Sequence, residues 1–248
     1  MEEQKITNYF YIDESGSISN NQKLFIHGCV KTDRPDSITE ALKELFIDIV
    51  DDKYFEEFRD VIIKQGFHAC ENHPDIWHLV YKLIAMLEYR SYFVIINKES
   101  EFFKSKGWEE HQWFSFSLKK LLKDRIISNK GERNIFYFED IQIAKKKLPR
   151  ILDEIFTLYK EQGHDVEYYI VGKEEENLVV TDYLNYIFFH IFAKDQPWDR
   201  IKQNFNLVSS KIALIHFIHN NVYLSRKKSS ELQITLDNLI EKYGEVAG

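Results

Sequence analysis

Cysteine, proline and glycine are scarce in this sequence, and each scarcity excludes something. Two cysteines in 248 residues, Cys29 and Cys70, are too few for a disulfide scaffold or a thiolate zinc site. They point to a reducing, cytoplasmic setting. Four prolines and nine glycines leave no Pro/Gly/Ser-rich linker. With no internal repeat either, the chain reads as one domain over residues 1–248, carrying helical insertions and a C-terminal helical segment. No uncharged apolar run approaches the roughly 18 residues that a membrane span requires. Polar Met1-Glu2-Glu3-Gln4-Lys5 is followed by no apolar segment, so no signal peptide is expected. Phosphate-binding glycine loops and Gly-x-Ser-x-Gly are missing too, which leaves nucleotide-fold and serine-hydrolase chemistry without their motifs.

Positive charge is also in short supply. A net charge of −7 argues against a protein that coats nucleic acid through its global field. Local clusters remain: Lys145-Lys146-Lys147 with Arg150, Lys119-Lys120 with Lys123 and Arg125, and Arg226-Lys227-Lys228. Runs of this kind read first as solvated helix faces. The sequence is rich in aromatic residues, 15% of the chain, within a 44% hydrophobic composition. Those values describe a globular protein of regular elements and short loops.

Strand-like runs fall at 8–13, 24–31, 92–97, 134–139 and 166–171. Helical patterns fall at 37–50, 75–89, 109–127, 141–162 and 177–193, and 229–243 reads as a last amphipathic helix. Ser37 with Glu40 three residues on has the form of a capping box. A hairpin followed by alternating strands and helices predicts an α/β fold, a mixed sheet flanked by helices.

Four stretches could carry chemistry. Phe10-Tyr11-Ile12-Asp13-Glu14-Ser15-Gly16-Ser17 is an aromatic strand that ends on two acids and a turn. Asn134-Ile135-Phe136-Tyr137-Phe138-Glu139-Asp140 repeats that design. Acids at the carboxyl ends of adjacent parallel strands would meet in the crevice where α/β sheets bind ligands. Strand alternation lets one acid of each pair face a given side, so either Glu139 or Asp140 points inward. Asp182 lies in a helix, 177–193, that is apolar nearly all round and therefore buried. A buried carboxylate needs a charge partner, a hydrogen-bond network or a metal. His68 and Glu71, three apart, share a face if their turn is helical, and His73 and His78 beside them allow a weak zinc reading. Solvated acidic turns and a helix-dipole role for Asp182 are the plainer alternatives. Carboxylates gathered from strand ends and a helix suit Mg²⁺ or Mn²⁺, which prefer oxygen.

Tyr11-Ile12-Asp13-Glu14-Ser15-Gly16, then Phe67-His68-Ala69 with Glu71, a strand ending in Glu139-Asp140, and Thr181-Asp182-Tyr183 occur in one order. Together, over about residues 8 to 195, they resemble the bacterial family called domain of unknown function 3800. That resemblance implies a ribonuclease-H-like fold with an acidic, metal-dependent centre, often found in mobile-element or phage-defence settings. It implies Asp13, one of Glu139 and Asp140, and Asp182 as metal ligands, with Glu14, His68 and Glu71 auxiliary. Thr181 stands where the family usually has Ala before its Asp.

The expectation is a metal-dependent nuclease, using Mg²⁺ or Mn²⁺ to cleave the phosphodiester bonds of DNA or RNA. The rival from another class is a non-catalytic binding module, the partner subunit of a defence or toxin–antitoxin complex. A phosphohydrolase acting on free nucleotides could use the same acids.

Overall fold

The computed structural model describes residues 5–18, 22–140, 147–193 and 197–244. In chain order its elements are β1 Thr7–Gly16, β2 Leu24–Thr32, α1 Pro35–Asp51, a 3₁₀ turn Lys53–Phe58, α2 Arg59–Gln65, α3 Pro74–Met86 and β3 Arg90–Asn97. They continue with α4 Glu101–Lys106, α5 Glu110–Ser128, β4 Arg133–Glu139, α6 Leu148–Glu161, β5 Asp165–Val171 and α7 Leu178–Phe192. The last are α8 Asp199–Val208, β6 Ile212–Phe217, β7 Val222–Ser225, a 3₁₀ turn Ser230–Leu232 and α9 Leu236–Gly244.

The seven strands form one mixed sheet in the order β5-β4-β1-β2-β3-β6-β7. β1 and β2 make the expected hairpin, antiparallel, with Asp13 opposite Gly28. β4 runs parallel to β1 on its other side, pairing Tyr11 with Tyr137 and Ile12 with Phe138. Gly16 closes the end of β1 with φ of +81°, a conformation L side chains rarely adopt.

Strand alternation divides the core in two. Tyr11, Leu24, Ile26 and Val30 face α1, α3, α7 and α8. Phe10, Ile12, Phe25 and Cys29 face α5 and α6. The two strands β1 and β2 are buried on both faces, which is why their sequences read as nearly continuous apolar runs. α7 lies against β1 and β2 and under α8, so it is apolar nearly all round.

Three expectations are corrected here. α1 starts at Pro35, with Arg34 in the N-cap position and no side-chain cap, so Ser37 and Glu40 form no capping box. Proline's fixed φ favours the first helical position, and that outweighs a serine two residues later. The 229–243 segment is helical only over Leu236–Gly244, after the 3₁₀ turn. Arg125 is not on a solvated face: it is buried, with its guanidinium over the Tyr92 ring at 3.6 Å. The strands β6 and β7 fall where the sequence left the chain unassigned, and residues 141–146 of the expected 141–162 helix lie outside the described residues, as do Lys145 and Lys146.

Candidate functional site

The parallel register of β1 and β4 carries the two strands forward until Asp13 and Glu139 stand side by side at their carboxyl ends. Both continue the face of Tyr11 and Tyr137, the side on which α7 packs. Asp140 takes the opposite course. It is exposed, and its amide donates to the Val171 carbonyl at 2.8 Å, extending the ladder to β5. Of the second acidic pair, then, Glu139 is the inward residue.

Asp13 is 6% exposed. Burial raises its carboxyl well above the usual range, and the charge of Glu14, a hydrogen bond with Glu139 and the charge of Asp182 push it further in the same direction. A hydrogen bond between two carboxyls requires a proton on one of them. Glu14 is half-buried and pushed up to about 8 by burial and by Glu139, against the pull of a backbone hydrogen bond. Its own amide donates to Asp13 Oδ1 at 2.7 Å.

Asp182 joins this group from the second turn of α7. Burial raises its carboxyl and Glu139 adds to that, while His68, the Ala69 amide and Lys173 oppose it. The Ala69 amide donates to Asp182 Oδ2 at 2.8 Å, and His68 Nδ1 lies 3.7 Å from the same oxygen. The 66–72 turn that presents these groups is built by Asn72. Its Oδ1 accepts from the His68 amide at 2.8 Å and from Tyr183 Oη at 2.6 Å, and its Nδ2 donates to the Gly66 carbonyl. Tyr183 follows Asp182 in α7, so helix and turn are tied together beside the carboxylate.

The other residues of the middle motif do not enter the cluster in the same way. Glu71 is exposed and acts on the Cys70 thiol. His73 caps α3, accepting from the Asp75 amide, and stacks on Phe58 at 4.2 Å. His78 is exposed on α3. These separate placements remove the basis for a zinc reading of the histidines.

Among the described residues no group of three or more His, Cys, Asp or Glu side chains stands arranged to hold a metal ion. The donor chemistry itself fits a hard divalent cation. Asp13, Glu14, Glu139 and Asp182 offer oxygen only, and their mutual repulsion in a buried position is what such a charge relieves. Asp13, Glu139 and Asp182 would supply the oxygens for such an ion, although their side chains as placed do not form a three-carboxylate set.

Beside the cluster runs a groove of about 830 Å³. Phe46 and Phe67 meet edge to face within it, ring centres 6.0 Å apart. Lys64 and Lys173 line it, with Glu71 at the end toward Cys70 and Asp182. The groove also contains Lys43, which pairs with Glu176 at 3.5 Å, and Glu174, which accepts from the Gly172 amide.

Sequence reasoning missed the Ala69 amide, Asn72, Lys173 and the pair Gly28–Asn185. A backbone donor carries no residue signal. Gly28 did carry one, because glycine inside a buried strand marks a close approach by another group. A Cβ there would overlap the Asn185 carboxamide.

No family model matches this chain, and none of the curated proteins is similar to it.

Proposed function

We propose that this chain is a metal-dependent nuclease of ribonuclease-H-like architecture, with Mg²⁺ or Mn²⁺ held by Asp13, Glu139 and Asp182. One observation carries the reading. Carboxyl groups from the ends of two adjacent parallel strands and from one buried helix act on one another at a single spot on the sheet. Acids that only solvate a turn have no reason to be buried together. The ordered motifs of the domain of unknown function 3800 family, which this sequence resembles, support the same residues.

Held by oxygens of Asp13, Glu139 and Asp182, a divalent ion would supply activation of water and stabilisation of charge on the leaving oxygen. The residues of the chain supply the rest. The Ala69 amide and His68 fix the direction of Asp182 and oppose the burial that raises its carboxyl, and His68 stands where it can orient a water or a phosphate oxygen. Glu14 stands beside Asp13 at the strand end, its amide donating to Asp13 Oδ1. A nucleic-acid strand, DNA or RNA, would lie in the adjoining groove, its bases on Phe46 and Phe67 and its phosphates toward Lys64 and Lys173.

The direct test is Asp13→Asn on a short oligonucleotide with Mn²⁺ or Mg²⁺. It should abolish cleavage while circular dichroism shows the fold retained; undiminished cleavage sinks the assignment. The size of the groove favours a free nucleotide as the second reading, because 830 Å³ falls in the range of small-molecule sites, roughly 300–1,000 Å³. Turnover of a nucleotide in preference to the oligonucleotide would select it. A non-catalytic binding module predicts a melting temperature that saturating Mn²⁺ leaves unchanged.

A further inference from the structure

Asn185 is 1% exposed, and neither its Oδ1 nor its Nδ2 has a hydrogen-bond partner among the described residues. A buried carboxamide with both ends unpaired is unfavourable, since it has lost its water and gained nothing. Its position gives the reason for keeping it. The side chain presses on Gly28 of β2, occupying the space a Cβ would fill. Gly28 is the ladder partner of Asp13. Directly opposed residues of an antiparallel pair point to the same face, with Cβ positions roughly 5 Å apart. The carboxamide therefore sits where the side chain next to Asp13 would be, and it is carried by the helix that supplies Asp182 three residues earlier. Thr181 fixes that helix at the neighbouring strand, its Oγ1 donating to the Tyr11 carbonyl at 3.1 Å.

We propose that Asn185 belongs to the acid site as a positioning residue, its carboxamide taking the water shell of a divalent cation bound by Asp13 and orienting that shell. The inference rests on the metal reading above. It explains two features that reading leaves aside: glycine at position 28, which leaves room for the amide, and a polar side chain in an otherwise apolar stretch of α7. Amide groups suit this task because they offer both a donor and an acceptor without adding charge to a site already crowded with acids. Outer residues of this kind typically govern metal affinity by about 10- to 100-fold.

The test compares Mn²⁺ binding, by calorimetry and by the Mn²⁺-dependent rise in melting temperature, for the wild type, Asn185→Leu and Gly28→Ala. Leucine replaces the orphaned amide with an apolar group of similar size, so the metal-free Asn185→Leu protein should melt at or above the wild-type temperature. Its Mn²⁺ affinity should fall by about tenfold or more. Gly28→Ala keeps every acid and Asn185 but forces the amide aside, and it should also weaken Mn²⁺. Asn204→Leu is the control: Asn204 on α8 is an equally buried, unpartnered amide, but α8 supplies none of the charges acting on Asp13 or Asp182. That variant should leave Mn²⁺ affinity unchanged. Mn²⁺ affinity within twofold of wild type in Asn185→Leu overturns the proposal, as does a large loss of metal-free stability that Asn204→Leu does not share. If the wild type itself shows no Mn²⁺ binding, the metal reading fails and takes this inference with it; only the variants can fail the inference alone.

Discussion

His27 shows how much a single position can say about the response to pH. It lies on β2, 1% exposed, with Nδ1 3.0 Å from Ser117 Oγ and Nε2 unpartnered among the described residues. Burial lowers its pKa from 6.5 to about 3. The unfolded chain therefore binds a proton below about pH 6.5 that the folded chain refuses until about pH 3, and stability falls as pH drops through that window. At pH 4.5 the penalty is about 3 kcal/mol. His27→Leu should flatten this acid limb, because Ser117 Oγ still donates to the Trp113 carbonyl. Urea midpoints at pH 7 and 4.5 check it; an equal drop in both proteins would contradict the assignment. Glu14 has the opposite sign. Its folded pKa, about 8, exceeds its ordinary value of 4.5, so it favours the folded state at low pH and that contribution is lost as pH rises toward 8. The acids of the site and the buried histidine thus limit stability from opposite sides.

At the scale of elements, α7 and the 66–72 turn form one unit. Tyr81 Oη donates to the Tyr183 carbonyl at 2.7 Å and Tyr183 Oη donates to Asn72, which in turn holds His68. Removing the Tyr183 hydroxyl should therefore reach the carboxylate of Asp182 through the turn. Tyr183→Phe is expected to lose about 1 kcal/mol of stability and to speed hydrogen exchange at the Ala69 amide, whose acceptor is Asp182. Protection of that amide equal to wild type would show that the turn holds without the tyrosine. The apolar pattern of α7 and its burial were legible in the sequence. The turn was not, because its shape depends on side-chain bonds from Asn72 to backbone groups and to a helix more than a hundred residues away.

Across the whole molecule, the net charge of −7 and the groove beside the acids point in different directions. Nucleic-acid binding there would have to be local, through Lys64 and Lys173, with aromatic stacking on Phe46 and Phe67. Replacing both lysines by glutamate should weaken binding of a short single-stranded oligonucleotide to the metal-free protein. Losing two phosphate contacts should also reduce the slope of log affinity against log salt by about 1.4. Fluorescence anisotropy at several salt concentrations measures both, and an unchanged slope would move the strand elsewhere. Among the described residues no helix is long and apolar enough to cross a membrane.

Local pattern determined a good part of this protein. Aromatic and β-branched runs specified five of the seven strands, apolar periodicity specified the long helices, and two strands ending on acids marked where a charged site would form. All three signals are carried by neighbours in sequence, so they can be read without the fold. Tertiary structure decided the remainder. Only the parallel pairing of β1 with β4 selects Glu139 over Asp140, because strand phase depends on register. The short strands β6 and β7 acquire their identity by joining the edge of the sheet beside β3. The place of Asn185 against Gly28 follows from how α7 lies across β1 and β2, an arrangement that no stretch of the sequence encodes by itself.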